Sequence, residues 1–171
     1  TIDATGGTTI VVSSGANAAC DAALVDRALA HAGGPGIVLL QHEIPEAANL
    51  HAAQAAQQAG WFVVLNPAPA RPIPPALLRH VALVIPNETE AAAITGRPVA
   101  SRDDALAAAH ALLALGVPAA LITLGGDGAL YCDASAAWHC PALPVQAIDT
   151  AAAGGRFMGA FGAALAAGRA M

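Results

Sequence analysis

Short apolar runs alternate with longer, alanine-rich segments along this chain. Residues 37–41 and 61–65 are apolar at almost every position, which is typical of parallel strands buried on both faces. Pro45 suits the first turn of a helix, and Gly60 suits its end. The predicted strands are residues 8–13, 37–41, 61–65, 83–86, 119–123 and 144–148. The predicted helices are residues 21–31, 45–60, 88–95, 101–116 and 157–167. Residues 129–132 and 138–140 are predicted to form a hairpin.

Strands that alternate with helices through short connections favour an α/β fold. We predict a doubly wound, mainly parallel sheet with flanking helices, in which ligands bind at the carboxyl ends of the strands. A chain of 171 residues is long enough for one domain with a sizeable core, and too short for two ordinary ones. The chain opens at Thr1 rather than at Met and runs directly into a predicted strand, so we expect a piece of a longer protein.

Composition and charge argue against several kinds of partner. The net charge is −5 and the seven residues of the Lys and Arg count, all arginines, are scattered, so no basic patch is available to bind nucleic acid. No apolar run reaches the ~18 residues that a membrane span needs. The three cysteines are odd in number and form no CxxC pair, which indicates neither a disulfide framework nor a zinc site. A cytoplasmic protein fits these features best.

A run of small residues joins the last predicted strand to the last predicted helix. It reads Asp-Thr-Ala-Ala-Ala-Gly-Gly-Arg-Phe over residues 149–157. Small side chains at such a junction let backbone N–H groups converge on an anion at the helix N-terminus, where the unpaired donors and the helix dipole favour negative charge. The run therefore predicts a phosphate-binding turn.

This run and four others resemble the motifs of the ribokinase (PfkB) family of carbohydrate kinases, in the expected order and across essentially the whole chain. The others are GANAA at residues 15–19, LNPAPAR at 65–71, PNETEA at 86–91 and LITLG at 121–125. The resemblance implies a ribokinase-like fold and phosphoryl transfer from ATP, with Mg²⁺, to a hydroxyl of a pentose-like sugar. The family's portions before Thr1 and after Met171 have no counterpart, so we expect an incomplete fold whose exposed edges favour self-association or a partner chain.

The resemblance assigns the nucleotide to two loops. Asn87 would approach the ATP phosphates and Glu90 would hold Mg²⁺ through water, as suits a cation that keeps its hydration shell. The alternative is that Asn87 is only a helix N-cap and Glu90 a solvated helix residue. The second loop would also bind ATP, although Gly-Asp-Gly is equally common in a plain tight turn. Its residues are Thr123, Leu124, Gly125, Gly126, Asp127 and Gly128.

The resemblance also implies a sugar contact and a monovalent-cation site. Glu43 would accept a hydrogen bond from a substrate hydroxyl, and a carboxylate at the end of a buried strand needs such a partner. His42 stands where the family has an apolar residue, and we expect a surface or hydrogen-bonded histidine. Asp149 and the carbonyl of Ala151 would bind K⁺ beside the anion hole, although the family completes this site with residues nearer its C-terminus.

One position departs from the family and determines the expected activity. Ala152, Ala153 and Gly154 match the anion hole, but Gly155 stands where the family has its catalytic Asp. Because glycine cannot accept a proton, we expect a catalytically impaired kinase. Two alternatives remain open: a non-catalytic nucleotide-binding or regulatory module, and a structural remnant that needs a partner chain. Arg156, next in the chain, is expected to be exposed.

Overall fold

The computed structural model describes residues 13–145 and 152–169. The α-helices are α1 (Ala22–Ala32), α2 (Glu46–Gln58), α3 (Pro75–Leu78), α4 (Glu88–Thr95), α5 (Arg102–Ala114) and α6 (Ala153–Ala166), and the strands are β1 (Ile37–Leu40), β2 (Phe62–Leu65), β3 (Leu83–Val84), β4 (Ala119–Thr123), β5 (Ala129–Asp133) and β6 (Ala137–Cys140). Two 3₁₀ helices span Gly15–Ala19 and Gly125–Asp127. Within the described residues, no helix is long and apolar enough to cross a membrane.

The six strands form one sheet in the order β1-β2-β3-β4-β5-β6. The first four strands are parallel, with Leu40 opposite Leu65, Leu65 opposite Val84 and Val84 opposite Ala120, whereas β5 and β6 add an antiparallel hairpin. Parallel pairing places the carboxyl ends of β1 to β4 along one edge of the sheet. The predicted mainly parallel sheet with flanking helices is confirmed.

Helices cover both faces of the sheet. On one face, α2 and α5 pack over core clusters that include Val63 and Val84 near α2 and Ile122 near α5. On the other face, α6 inserts Met158 into a cluster with Leu83 and other residues of the central strands. Neighbouring strand residues alternate between the clusters on the two faces because successive side chains of a strand point to opposite faces. Since helices cover both faces, both sets of side chains are apolar, which explains the continuous apolar runs of the sequence.

Local rules located most helix ends correctly. The Asp21 carboxylate accepts a hydrogen bond from the Leu24 N–H at 2.8 Å, which caps α1, and Gly33 ends the helix in the left-handed conformation at φ 77°. Gly96 ends α4 in the same way at φ 69°. The Ser101 hydroxyl caps α5 by accepting from the Asp104 N–H at 3.1 Å.

One predicted helix begins elsewhere, one short helix was not predicted, and two predicted strands lie partly or almost wholly outside the described residues. Helix α6 begins at Ala153 rather than at 157, so the two glycines at 154 and 155 form part of its first turn. The short helix α3 was not predicted, because four residues are too few to display a helical period. Residues 144 and 145 lie outside any strand, while 146–148 and nearly all of the predicted strand 8–13 are not among the described residues.

Gly128 is required by the hairpin that follows it. A Cβ at this position would lie 2.0 Å from the carbonyl oxygen of Cys140 and 2.6 Å from the backbone nitrogen of Ala142, and the backbone has φ +97°. Any side chain would therefore collide with backbone atoms that cannot move aside as a side chain can. The glycine accommodates the protein's own chain, a role that the nucleotide-loop resemblance did not suggest.

We predict that Gly128→Ala lowers the free energy of unfolding by roughly 2 kcal/mol or more, because the overlap and the positive φ both oppose a side chain. Gly126→Ala is the matched control, since a Cβ at Gly126 meets nothing within 4 Å. Its effect should stay within about 0.5 kcal/mol. Urea denaturation of both variants measures the difference, and equal stabilities would contradict the packing assigned to Gly128.

Candidate functional site

A cavity of about 590 Å³ lies between the carboxyl ends of β3 and β4 and the start of α6. Polar and small residues from three parts of the chain line it, although they are far apart in sequence. They are Asn87, Glu88, Thr123, Gly125, Gly128, Ala153 and Gly154. The structure thus brings the first predicted nucleotide loop, the second loop and part of the predicted anion hole to one cavity, at the strand ends where the fold class predicts a ligand site.

Asn87 caps α4 and also faces this cavity. Its side-chain Oδ1 accepts a hydrogen bond from the Glu90 N–H at 2.8 Å, and Glu90 Oε2 accepts one from the Asn87 N–H at 2.9 Å. The pair forms a capping box, which satisfies two donors that a helix start would otherwise leave unpaired. Asn87 is therefore the N-cap of α4, and the same residue also lines the cavity.

Glu90 is a buried residue, 8% exposed, which contradicts the solvated alternative. Burial raises the pKa of its carboxyl group, while the hydrogen bonds from Asn87 and Asn66 act in the opposite direction. Glu90 does not line the cavity. No cluster of three or more His, Cys, Asp or Glu side chains suited to a metal occurs in residues 13–145 and 152–169. Few of the described side chains at this site could bind Mg²⁺, so oxygens of a bound nucleotide would have to supply most of the ligands of such an ion.

Asn66 supports the polar wall of the cavity through Glu90, although no role was assigned to it from the sequence. Its Nδ2 donates to the carbonyl oxygen of Ile85 at 2.8 Å and to Glu90 Oε2 at 3.4 Å. The side chain therefore connects the end of β2 to the end of β3 and to the capping carboxylate. Its position immediately after the buried run 61–65 is the signal that could have identified it.

The second loop is divided between the cavity and the core. Thr123 forms a parallel bridge with Asn87, and its N–H donates to the Pro86 carbonyl oxygen at 3.0 Å, so the two loops are joined directly. Leu124 is only 7% exposed and belongs to the core under α5. Asp127 lines a separate space of about 60 Å³. Of the six predicted loop residues, Thr123, Gly125 and Gly128 line the main cavity, whereas Leu124, Gly126 and Asp127 do not.

The start of α6 offers backbone donors without a capping side chain. Ala152 precedes the helix with φ 59°, a left-handed conformation that is costly for a residue with a Cβ and that occurs often at functional sites. Ala153 and Gly154 line the cavity, whereas Ala152 and Gly155 do not. Arg156 is exposed, as expected. The predicted cation ligands Asp149 and Ala151 lie outside the described residues.

Glu43 lies away from this cavity, after β1. It is exposed, and its Oε2 accepts a hydrogen bond from the Asn17 amide at 3.4 Å. The premise that this carboxylate needs a partner because it ends a buried strand does not hold, since β1 ends at Leu40, three residues earlier, and Glu43 is exposed. The contact nevertheless joins Glu43 to the GANAA segment, another of the family-like motifs.

His42, its neighbour, is buried at 4% exposure, so of the two expected states, surface or hydrogen-bonded, the surface one is excluded. Its Nδ1 lies 3.2 Å from the carbonyl oxygen of Pro69, while Nε2 has no hydrogen-bond partner within the described residues. Burial lowers the pKa of the imidazole, and the Pro69 carbonyl opposes this effect. The backbone N–H of His42 donates to the carbonyl oxygen of Ala68 at 2.9 Å. This bond and the ring together hold the loop after β2 against the end of β1.

The mixed sheet, with its cavity at the strand ends and the start of α6, defines a ribokinase-like α/β protein. The chain belongs to the pfkB family of carbohydrate kinases, since the model of that family (pfkB family carbohydrate kinase) matches residues 1–171.

Individual relatives agree with this assignment. Ribokinase from Staphylococcus aureus (strain COL) is 37% identical over 94% of this chain and 53% of its own length. Deoxyribokinase from Salmonella typhi is 34% identical over 94% of this chain and 53% of its own length. The structure of Arabidopsis thaliana ribokinase complexed with ribose and ATP superimposes with a TM-score of 0.85 at 30% identity, over 99% of this chain and 55% of that one. The chain thus spans about half the length of the relatives that it matches.

We predict that His42 makes the fold less stable in acid. The folded-state pKa lies below the ordinary value of 6.5, so the unfolded chain binds more protons as the pH falls below about 6.5, and stability falls with it. His42→Leu, which replaces the ring by an apolar side chain that does not titrate, should remove this dependence. Between pH 7 and pH 5, the free energy of unfolding of this variant should fall less steeply than that of the parent. The two slopes should differ by up to about 1.4 kcal/mol per pH unit.

Denaturant unfolding at several pH values measures the two slopes, and their difference removes the contribution of the other titrating groups. His31→Leu is the control, because His31 is exposed in α1 and folding does not remove its ring from water. Parallel slopes for the parent and His42→Leu would refute the assignment.

Proposed function

We propose that this chain is the nucleotide-binding part of a ribokinase-like carbohydrate kinase that transfers a phosphoryl group from ATP to a ribose-like sugar in the cytoplasm. The observation that carries the proposal is the single cavity shared by Asn87, Thr123, Gly125 and the start of α6. Family membership supports the reaction, and the ribose and ATP in the Arabidopsis relative support the ligand classes. The deoxyribokinase relative leaves the exact pentose open.

Phosphoryl transfer depends mainly on positioning and on stabilising charge, both of which backbone donors can supply. The N–H groups in the first turn of α6 would face the transferring phosphate. Asn87 would orient the phosphate chain, with Mg²⁺ neutralising its charge when bound and Glu90 holding the ion through water. A K⁺ beside Asp149 and Ala151 would order the same turn, and Glu43 would hold a sugar hydroxyl.

We further propose that the chain is catalytically impaired, because Gly155 supplies no proton acceptor at the base position. Loss of a positioned general base typically reduces the rate by about 10²–10⁴. A nucleotide-binding module without catalysis is therefore the second candidate, and the preserved cavity beside a missing base favours it. A structural remnant would bind neither nucleotide nor phosphate.

Nucleotide binding is tested by thermal unfolding with millimolar Mg·ATP. We expect a rise in Tm of several degrees, since saturation at 100 times Kd adds about 2.7 kcal/mol. Gly154→Asp should weaken ATP about tenfold or more by placing a carboxylate beside the phosphates. Gly159→Asp is the matched control: an added Cβ at either glycine of α6 meets no described residue within 4 Å, but only Gly154 lines the cavity. An unchanged Tm for the parent would contradict nucleotide binding and favour the structural remnant.

Catalysis is tested by ADP release with ribose and Mg·ATP. We expect no measurable turnover from the parent chain. Gly155→Asp, whose Cβ again meets no described residue within 4 Å, should raise turnover by a factor of about 10²–10⁴ when the sugar-contacting portion of the family is supplied, whereas Gly159→Asp should not. Parent turnover of 1–100 s⁻¹, the ordinary range for kinases, would refute the role assigned to Gly155.

A further inference from the structure

The cavity has a second, apolar end that the proposed phosphate contacts leave without a role. Its lining there includes Leu121, Ala129, Trp138, Phe157 and Phe161. Apolar walls beside a few converging polar groups are typical of small-molecule sites, and about 590 Å³ falls in the usual size range. The apolar end must therefore suit a different part of the ligand from the polar end.

Trp138 is held firmly although its side chain is 43% exposed. Its ring stacks on Tyr131 with a centroid distance of 5.2 Å and an interplanar angle of 26°. Tyr131 is 6% exposed and its hydroxyl donates to Asp133 Oδ2 at 2.8 Å, which fixes the ring beneath the indole. A large aromatic surface is thus preorganised at the cavity, at little cost in side-chain entropy.

The strand that carries Trp138 is attached to the predicted nucleotide loop. His139 Nε2 lies 2.6 Å from the carbonyl oxygen of Asp127, and the backbone of Cys140 packs directly against Gly128. The indole therefore keeps a fixed position relative to Gly125 and the polar end. On α6, Phe157 and Phe161 stack on each other at 5.9 Å and line the same cavity.

From this arrangement we infer that Trp138 binds the heteroaromatic base of the nucleotide, which stacks at the aromatic end while the triphosphate occupies the polar end. The inference rests on the proposed nucleotide site and deepens it. Stacking on an aromatic side chain suits a planar base, whereas it offers nothing to a phosphate chain. Trp138 is then a binding residue that distinguishes a nucleotide from a free polyphosphate.

Isothermal titration with Mg·ATP and with Mg·tripolyphosphate, which lacks the base and its sugar, tests the inference. Trp138→Ala should weaken ATP about 5- to 100-fold and change tripolyphosphate affinity less than about twofold. Trp138→Phe should retain most of the ATP affinity because it keeps a ring. The two tryptophans of the chain allow a second readout. In Trp61→Phe, whose remaining indole is Trp138, ATP and adenosine should change the fluorescence, and tripolyphosphate should not.

The possible results separate the two proposals. If the parent binds ATP and Trp138→Ala binds it equally well, or loses ATP and tripolyphosphate affinity to the same extent, the role of Trp138 is overturned while the nucleotide site stands. If the parent binds neither ligand, the nucleotide site itself is overturned, and the role of Trp138 with it. Melting temperatures of the variants establish that each is folded during the titration.

Discussion

The buried carboxylate of Glu90 joins three segments that would otherwise end independently. Its Oε2 accepts hydrogen bonds from the Asn87 backbone and from the Asn66 side chain, which also binds the Ile85 carbonyl. The end of β2, the end of β3 and the start of α4 are therefore fixed relative to one another. Because a buried polar group that loses its partners is costly, each member of this network stabilises the others. The polar wall of the cavity depends on this arrangement.

A second constraint fixes the opposite side of the cavity. Gly128 permits the backbone around Cys140 to lie against the loop after β4, and this contact aligns the β5–β6 hairpin with the loop. The hairpin belongs to the antiparallel part of the sheet, whereas the polar wall comes from the parallel part. The cavity thus forms where the two modes of strand pairing meet, and α6 covers it from the other side.

Much of this organisation could be predicted from the sequence because local rules mark it. Continuous apolar runs identified β1 and β2, and Asn87 with Gly96 marked both ends of α4. The predicted start of α6 was wrong because Ala152 precedes the helix in a left-handed conformation and has no polar side chain that would mark it as an N-cap in the sequence. The burial of His42 and the exposure of Glu43 depend on where the chain turns after β1, which is set by tertiary packing. Likewise, no pattern in the sequence links Trp138 to α6, since their proximity arises only from the sheet.

The proposed roles of Gly154 and Gly155 place different demands on the sequence, because anion binding and proton transfer use different groups. Anion recognition at the start of α6 uses backbone N–H groups, which almost any sequence supplies if the chain can adopt the turn. Ala152 adopts this turn at φ 59° despite its Cβ, so the surrounding structure must compensate for the strain. Proton transfer, in contrast, needs one particular side chain, and a single substitution removes it without disturbing the backbone. Because a Cβ at Gly155 would meet none of the described residues within 4 Å, no packing against them explains the glycine, and they leave room for a carboxylate. Under the proposed assignment of Gly155 to the base position, the missing carboxylate removes the proton acceptor and changes the packing very little.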